Sequence, residues 1–270
     1  MKHEDFPLSR DIKAVLPKDS SAPDTATSLS YLSVSIIGTA LCTVIGVNAL
    51  SIFSPASILS FPFWAAYSVV TGTVAMGLWV QAHECGHGAF SKDKKLQDLI
   101  GYAIHSFMLV PYYSWQRSHA VHHRYCNHME LGETHVPEPM ENGSSVSIKA
   151  RNWLIEKLGK KRGLNAWGGL QGVLHLLIGW PAYLLIGATG GPARGMTNHF
   201  YPDPLTTPSM PKKELFKGNW KEKVIKSDIG IAAVVGGLVG WIACNGFAQV
   251  MALYGGPLLV INAWLVTYTW

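Results

Sequence analysis

Two long stretches without a single charge constrain this chain before anything else does. Leu29 to Phe53 and Ile58 to Ala82 contain no Asp, Glu, Lys or Arg. A helix of about 20 apolar residues crosses the ~30 Å hydrocarbon core of a bilayer, and a helix pairs its own backbone there. The link Ser54-Pro55-Ala56-Ser57 is short, so the two runs form a hairpin that brings the chain back to its starting side. A third uncharged run, Ile229 to Tyr254, predicts another span. Gly255-Gly256-Pro257 then predicts a turn. Leu258 to Trp270 follows, about 20 Å of helix, short of the core. The composition agrees, at 48% hydrophobic and 14% charged. The class expected is an all-α integral membrane protein of transmembrane helical hairpins.

The basic residues orient it. All 22 Lys and Arg fall within 1–28, 92–95, 117–162 and 194–226, and none lies in the turns at 54–57 and 255–257. Positive residues mark the cytosolic side. Were Leu96–Tyr113 and Leu164–Gly190 both to cross, the eight basic residues of 117–162 would face away from the others. These two stretches, the first stopped by Pro111 and the second broken at Gly179-Trp180-Pro181, are therefore read as dipping into or lying on the membrane and returning. Three complete spans and a fourth begun are expected, with a helix over Ser147–Leu158 on the cytosolic side. Residues 1–28 mix bases, acids and prolines and form a cytosolic segment, neither signal nor transit peptide. The sequon at Asn142 would stay unglycosylated. Cys42, Cys85, Cys126 and Cys244 form no CxxC pair and read as reduced thiols.

Eight of the eleven histidines lie between Gln81 and His135. Five form two clusters, His83 with His87, and His119 with His122 and His123. Residues three or four apart share a helix face, so each cluster presents its imidazoles in one direction. Cys85 turns away from the His83/His87 face. Imidazole is the commonest metal-ligating side chain, and two such faces together could hold a metal. His83-Glu84-Cys85-Gly86-His87 also fits H-E-x-x-H, the zinc motif in which Glu84 would be a general base. That reading gives His119, His122 and His123 no work, whereas five imidazoles suit a dinuclear site. Nitrogen ligation beside a bilayer suggests iron and O2 chemistry on a lipid.

With these motifs in place, the chain resembles the membrane fatty acid desaturase family, in particular its microsomal omega-6 (delta-12) and omega-3 acyl-lipid branch. The residues that carry the likeness are His83-Glu-Cys-Gly-His-Gly-Ala-Phe-Ser91, Val110-Pro-Tyr-Tyr-Ser-Trp115 and Ser118-His-Ala-Val-His-His123. Weaker likeness lies at Gly179-Trp-Pro181, Thr197-Asn-His-Phe200 and Val260-Ile-Asn-Ala263. The resemblance implies a cis double bond inserted into a monounsaturated acyl chain, delta-12 on an oleoyl lipid first and omega-3 (delta-15) next. It implies two non-haem iron ions held by His83, His87, His119, His122 and His123, with O2, and electrons from cytochrome b5 or a similar carrier and its reductase. It further implies a multi-pass endoplasmic reticulum protein with cytosolic histidine boxes, a plastid membrane being the alternative. An acyl-lipid substrate and membrane lipid are the expected partners, and no nucleic acid.

Other histidines and acids read differently. Glu84 and Asp98 are candidates for orienting imidazoles. His105 is expected to be a hydrogen-bonded structural group, His175 in its apolar stretch is a functional suspect, and His128, His135 and His199 are ordinary loop residues. In one respect the chain departs from the family, whose pattern ends in a third HxxHH box that is not found here. The 29–270 domain is therefore expected to be incomplete at its C-terminus and inactive as 270 residues. A related fatty acid hydroxylase, an inactive membrane partner of a desaturase and the zinc protease are the alternatives carried forward.

Overall fold

The structure is a computed structural model. It describes residues 15–17, 22–126, 128–134, 136, 146–187, 190–194, 196–203 and 214–269. Most of the 1–28 segment, His135 and the Asn142 sequon lie outside the described residues. Within them every regular element is helical.

Helix α1, Thr25–Ala49, starts at Asp24, whose carboxylate accepts the amide protons of Ala26 and Thr27. That cap satisfies two of the free amides of the first turn and starts the helix four residues ahead of the uncharged run. Only Leu32, Gly46 and Ala49 are buried along it, as suits a helix whose other faces meet lipid. Helix α2, Phe61–His87, follows a short 3₁₀ turn at Ile58–Ser60, carries Pro62 in its first turn and ends at Gly88 with φ +78°, a left-handed cap that glycine adopts freely. The α1–α2 hairpin closes tightly where Gly46 lies under Tyr67. A Cβ there would be 2.6 Å from the ring. Trp64, Tyr67, Ala49, Ala252 and Leu253 cluster at that end. At the opposite end Thr25 Oγ1 meets Ser91 Oγ at 2.8 Å.

Helix α3, Lys94–Phe107, is capped by Asp93, and α4, Tyr112–Arg124, begins directly after Pro111. Leu109, with φ +57°, reverses the chain between them. The three helices meet at Gly101, where a Cβ would sit 2.4 Å from Tyr112 Cε2 and 2.8 Å from Cys85 Cβ. Helix α5 is Val146–Leu158, against the expected Ser147–Leu158. Helix α6 runs Lys160–Ile186, with a π turn at His175–Gly179. Helix α7 is Trp220–Asn245. Helix α8 begins as Phe247–Val250, passes through a π turn at Met251–Gly255 and continues as Gly256–Thr269.

Among the described residues five helices are long and apolar enough to cross a membrane, Thr25–Ala49, Ile58–His87, Lys160–Ile186, Trp220–Asn245 and Phe247–Tyr268. Two expectations are corrected here. The break at Gly179-Trp180-Pro181 does not form, because the π turn widens the helix just ahead of Pro181 and accommodates the missing amide. The segment is one unbroken helix, long enough to span by length and composition. Likewise Gly255-Gly256-Pro257 is not a turn. Gly246, with φ +83° and ψ 154°, turns the chain ten residues earlier, in a conformation only glycine takes easily. Gly256 instead lets α8 close on α2, where a Cβ would be 2.2 Å from Ser68 Oγ. The third span therefore ends at Asn245 and not Tyr254. The segment expected to stop short of the core is 22 residues long over Phe247–Tyr268, about 33 Å.

Candidate metal centre

The two histidine clusters arrive at one place from two helices. His83 and His87 occupy the last two turns of α2, and His119, His122 and His123 the last turns of α4. Gly86 allows the approach. A Cβ on it would be 2.5 Å from the Trp115 ring, and Gln116 Nε2 donates to its carbonyl at 3.3 Å. The ligand atoms of His83, His87 and His119 all lie within 4.8 Å of one another. His83 Nε2 is 2.8 Å from His87 Nε2, His87 Nε2 is 3.1 Å from His119 Nε2, and His119 Nε2 is 3.1 Å from His123 Nε2. His122 stands at the rim, its ring 5.5 Å from that of His123 and 6.0 Å from that of His119. Its Nε2 is 3.9 Å from Cys126 Sγ.

Four Nε2 atoms in an unbroken series cannot all be satisfied by protons, since each neutral imidazole has one N–H and one lone pair. Adding protons is disfavoured as well. Burial first, then the neighbouring imidazoles, hold His119 down at about 2. His122 is lowered by burial and by His123, while the Thr134 backbone carbonyl accepting from its ring works the other way. His119 and His122 are thus held toward the neutral form, the state in which imidazole binds metals. Cis donors around a cation with bonds of ~2.1 Å stand about 3 Å apart, the spacing seen here. The donor set fits a divalent transition metal.

Aromatic rings fix these imidazoles. Trp115 stacks on His119 at 4.6 Å between centroids and contacts His83 at 5.2 Å, with Trp79 at 5.0 Å from His83. Behind them His105 is fully buried against Trp79, Tyr112 and Trp115, with no hydrogen-bond partner on either ring nitrogen among the described residues. The expected hydrogen bonds of a structural histidine are absent at His105. Asp98 accepts from Tyr112 Oη at 3.1 Å, so it steadies the α3–α4 junction and not an imidazole. Cys85 is buried and, as expected, faces Gly101 rather than the histidines.

The cluster opens onto a cavity of about 740 Å³, within the range of small-molecule sites. One end carries His83, His119 and His122, and the walls come from α2, α6 and α8 through residues such as Met76, Val80, Ile178 and Val266. His175 lines it too, with Nδ1 donating to the Gln171 carbonyl at 2.7 Å. His128 is an ordinary turn residue whose Nδ1 accepts from the amides of Glu130 and Leu131. His199 lies in a loop, as expected, but not at the surface. It is fully buried, beside Ser118 and Glu133. The only sequence signal for it was the weak motif at Thr197–Phe200, and nothing flagged Glu133.

Comparison with known proteins agrees with this geometry. The profile of the family described as fatty acid desaturase matches residues 60–270. A delta(12)-fatty-acid desaturase of Arabidopsis thaliana is 34% identical over 96% of this chain and 62% of its own length. An oleate hydroxylase of Claviceps purpurea is 33% identical over 98% of this chain and 56% of its own. An endoplasmic reticulum omega-6 fatty acid desaturase of Brassica juncea is 36% identical over 78% of this chain and 50% of its own. The chain spans less than two thirds of the length of these curated relatives. Histidines from both clusters meet in one place, which the H-E-x-x-H spacing of His83 and His87 does not account for, so it is set aside as a protease signal.

Proposed function

This chain belongs to the fatty acid desaturase family, and from that premise we propose that it is an acyl-lipid desaturase acting on a monounsaturated chain. Delta-12 desaturation of an oleoyl lipid is the first reaction, and omega-3 action on a linoleoyl lipid the neighbouring one. The observation that carries this reading is the junction of an imidazole cluster with an apolar cavity, a metal site placed against a slot for a hydrocarbon chain.

In this reading His83, His87, His119, His122 and His123 hold a non-haem di-iron centre. When bound, that centre with O2 supplies an oxidant strong enough to take hydrogen from an unactivated methylene. The protein's own residues do the rest. Met76, Val80, Ile178 and Val266 exclude water and hold the acyl chain by apolar contact. Trp79 and Trp115 keep His83 and His119 from rotating. Electrons come from a cytochrome b5-type carrier and its reductase, which the basic segments around the boxes would attract. The likeness to an endoplasmic reticulum omega-6 desaturase supports that membrane, and the basic residues of 1–28, 92–95 and 117–162 support boxes in the cytosol. Hydroxylation is the second reading, favoured by the comparable identity to an oleate hydroxylase.

Expression of the complete open reading frame in a host that makes only monounsaturated chains tests this. A new diene is the expected product. A hydroxylated chain would move the assignment to the second reading, and product undiminished by His87→Ala would refute the site.

A further inference from the structure

A second polar cluster lies beside the histidines, and the proposed metal chemistry does not use it. Ser118 and His199 are 0% exposed, Glu133 2% and Tyr183 8%. They come from four parts of the fold. Ser118 precedes His119 on α4, Tyr183 is on α6, and Glu133 and His199 are in separate loops. Apolar residues would join these segments at less cost, because each buried polar group loses its water. What a hydrogen-bonded cluster adds is direction.

That direction can be read. His199 Nδ1 is 3.1 Å from the Leu184 carbonyl, which only accepts, so Nδ1 carries the proton. Burial pushes His199 down to about 4, the ring is neutral, and its Nε2 must accept. Ser118 Oγ is 2.9 Å from that Nε2 and 2.5 Å from Tyr183 Oη. Serine has one proton. Two groups that can only accept lie within its reach, His199 Nε2 and the Trp115 carbonyl at 3.1 Å, so Ser118 donates toward them and accepts from Tyr183, and the series Tyr183 to Ser118 to His199 to the Leu184 carbonyl has one polarity. Both ends belong to α6 at adjacent residues, so the series staples α4 to α6 at one rotation. Glu133 adds to it from the loop, with Oε1 4.0 Å from His199 Nε2. The next residue, Thr134, offers its carbonyl to His122.

We propose that Tyr183, Ser118 and His199 are positioning residues that fix the rotation of α4, and through it the aim of His119, His122 and His123. The leverage is short. A rotation of 10° about the axis moves atoms about 6 Å out by about 1 Å, enough to spoil a ligand set whose neighbouring nitrogens are 3.1 Å apart. The inference rests on the metal reading above and names what holds half of that site in register.

The test is Co²⁺ titration of the purified chain in detergent micelles, following the absorption of the bound ion, with far-ultraviolet circular dichroism as the check on folding. The parent chain is measured first. If it binds no Co²⁺, or if His87→Ala binds as well as the parent, the metal reading itself fails. Given binding, Ser118→Ala, Tyr183→Phe and His199→Ala should each weaken it about 10- to 100-fold and shift the spectrum. Ser118→Ala combined with His199→Ala should lose no more than either alone. His199→Gln, whose amide oxygen can accept from Ser118, should recover most of the affinity and the parent spectrum. Should Ser118→Ala not fold, Tyr183→Phe, which removes one oxygen, carries the test. Variants that melt earlier yet keep the parent's affinity and spectrum would make the cluster ordinary structural glue and overturn the proposal.

Discussion

Replacing Glu133 by glutamine should remove a fall in stability with rising pH. The Glu133 carboxyl is buried, and burial raises its pKa from 4.5 to about 8, with Arg194 pulling the other way. A hydrogen bond with Tyr183 also lowers it, and burial outweighs both. In the unfolded chain this group ionises near 4.5, while the folded chain holds the proton to about 8. Between those values the folded chain binds more protons, so its stability drops as pH rises, by about 1.4 kcal/mol per pH unit. The contribution is whole below 4.5 and gone once the pH has passed about 8. From pH 5 to 7 it amounts to roughly 3 kcal/mol. His119 and His199 act in the opposite sense, since their lowered values remove stability as pH falls, but parent and variant share them and they cancel in the difference. The assay is unfolding of both proteins in mixed micelles with increasing denaturing detergent, repeated across that pH range. The Glu133→Gln chain should gain about 3 kcal/mol on the parent from pH 5 to 7. Parallel profiles would refute the assignment of a protonated, buried Glu133.

Gly101→Ala would force a methyl group into Tyr112 and Cys85, both fully buried, and should cost about 1–3 kcal/mol; an unchanged melting temperature would show that the three helices can separate at no cost. Gly179 faces the cavity, with the nearest side-chain atoms, on His175 and Val266, 3.7 Å from where its Cβ would be. Gly179→Leu should leave the fold intact and abolish desaturation in cells by occupying the acyl slot, and normal diene levels would place the chain elsewhere. Because His119 is already held neutral, protons should compete weakly for the cluster. Co²⁺ affinity should then stay nearly level from pH 8 to 6, where an exposed histidine pair would weaken below about 6.5.

The spans were legible where a single local property decided them. Leu29–Phe53 and Ile58–Ala82 carry no charge, and burial of such runs in lipid leaves a helix as the one outcome. The convergence of His83, His87, His119 and His123 followed from spacing on two helices. Reading failed where glycine and proline were given a fixed meaning. Gly255, Gly256 and Pro257 sit within a helix because a π turn and close packing on Ser68 absorb them, while Gly246 turns the chain through its φ of +83°. The Ser118–His199 bond joins residues 81 apart in sequence. No local pattern encodes such a contact, so His199 looked like any loop histidine.

The most direct test of the account is metal analysis of the protein expressed from its complete open reading frame, alongside His87→Ala and His122→Ala. A di-iron centre built from both histidine clusters predicts about two irons per chain, with most of it lost in both variants. Stoichiometric zinc in place of iron, or iron unchanged in His87→Ala, would contradict it.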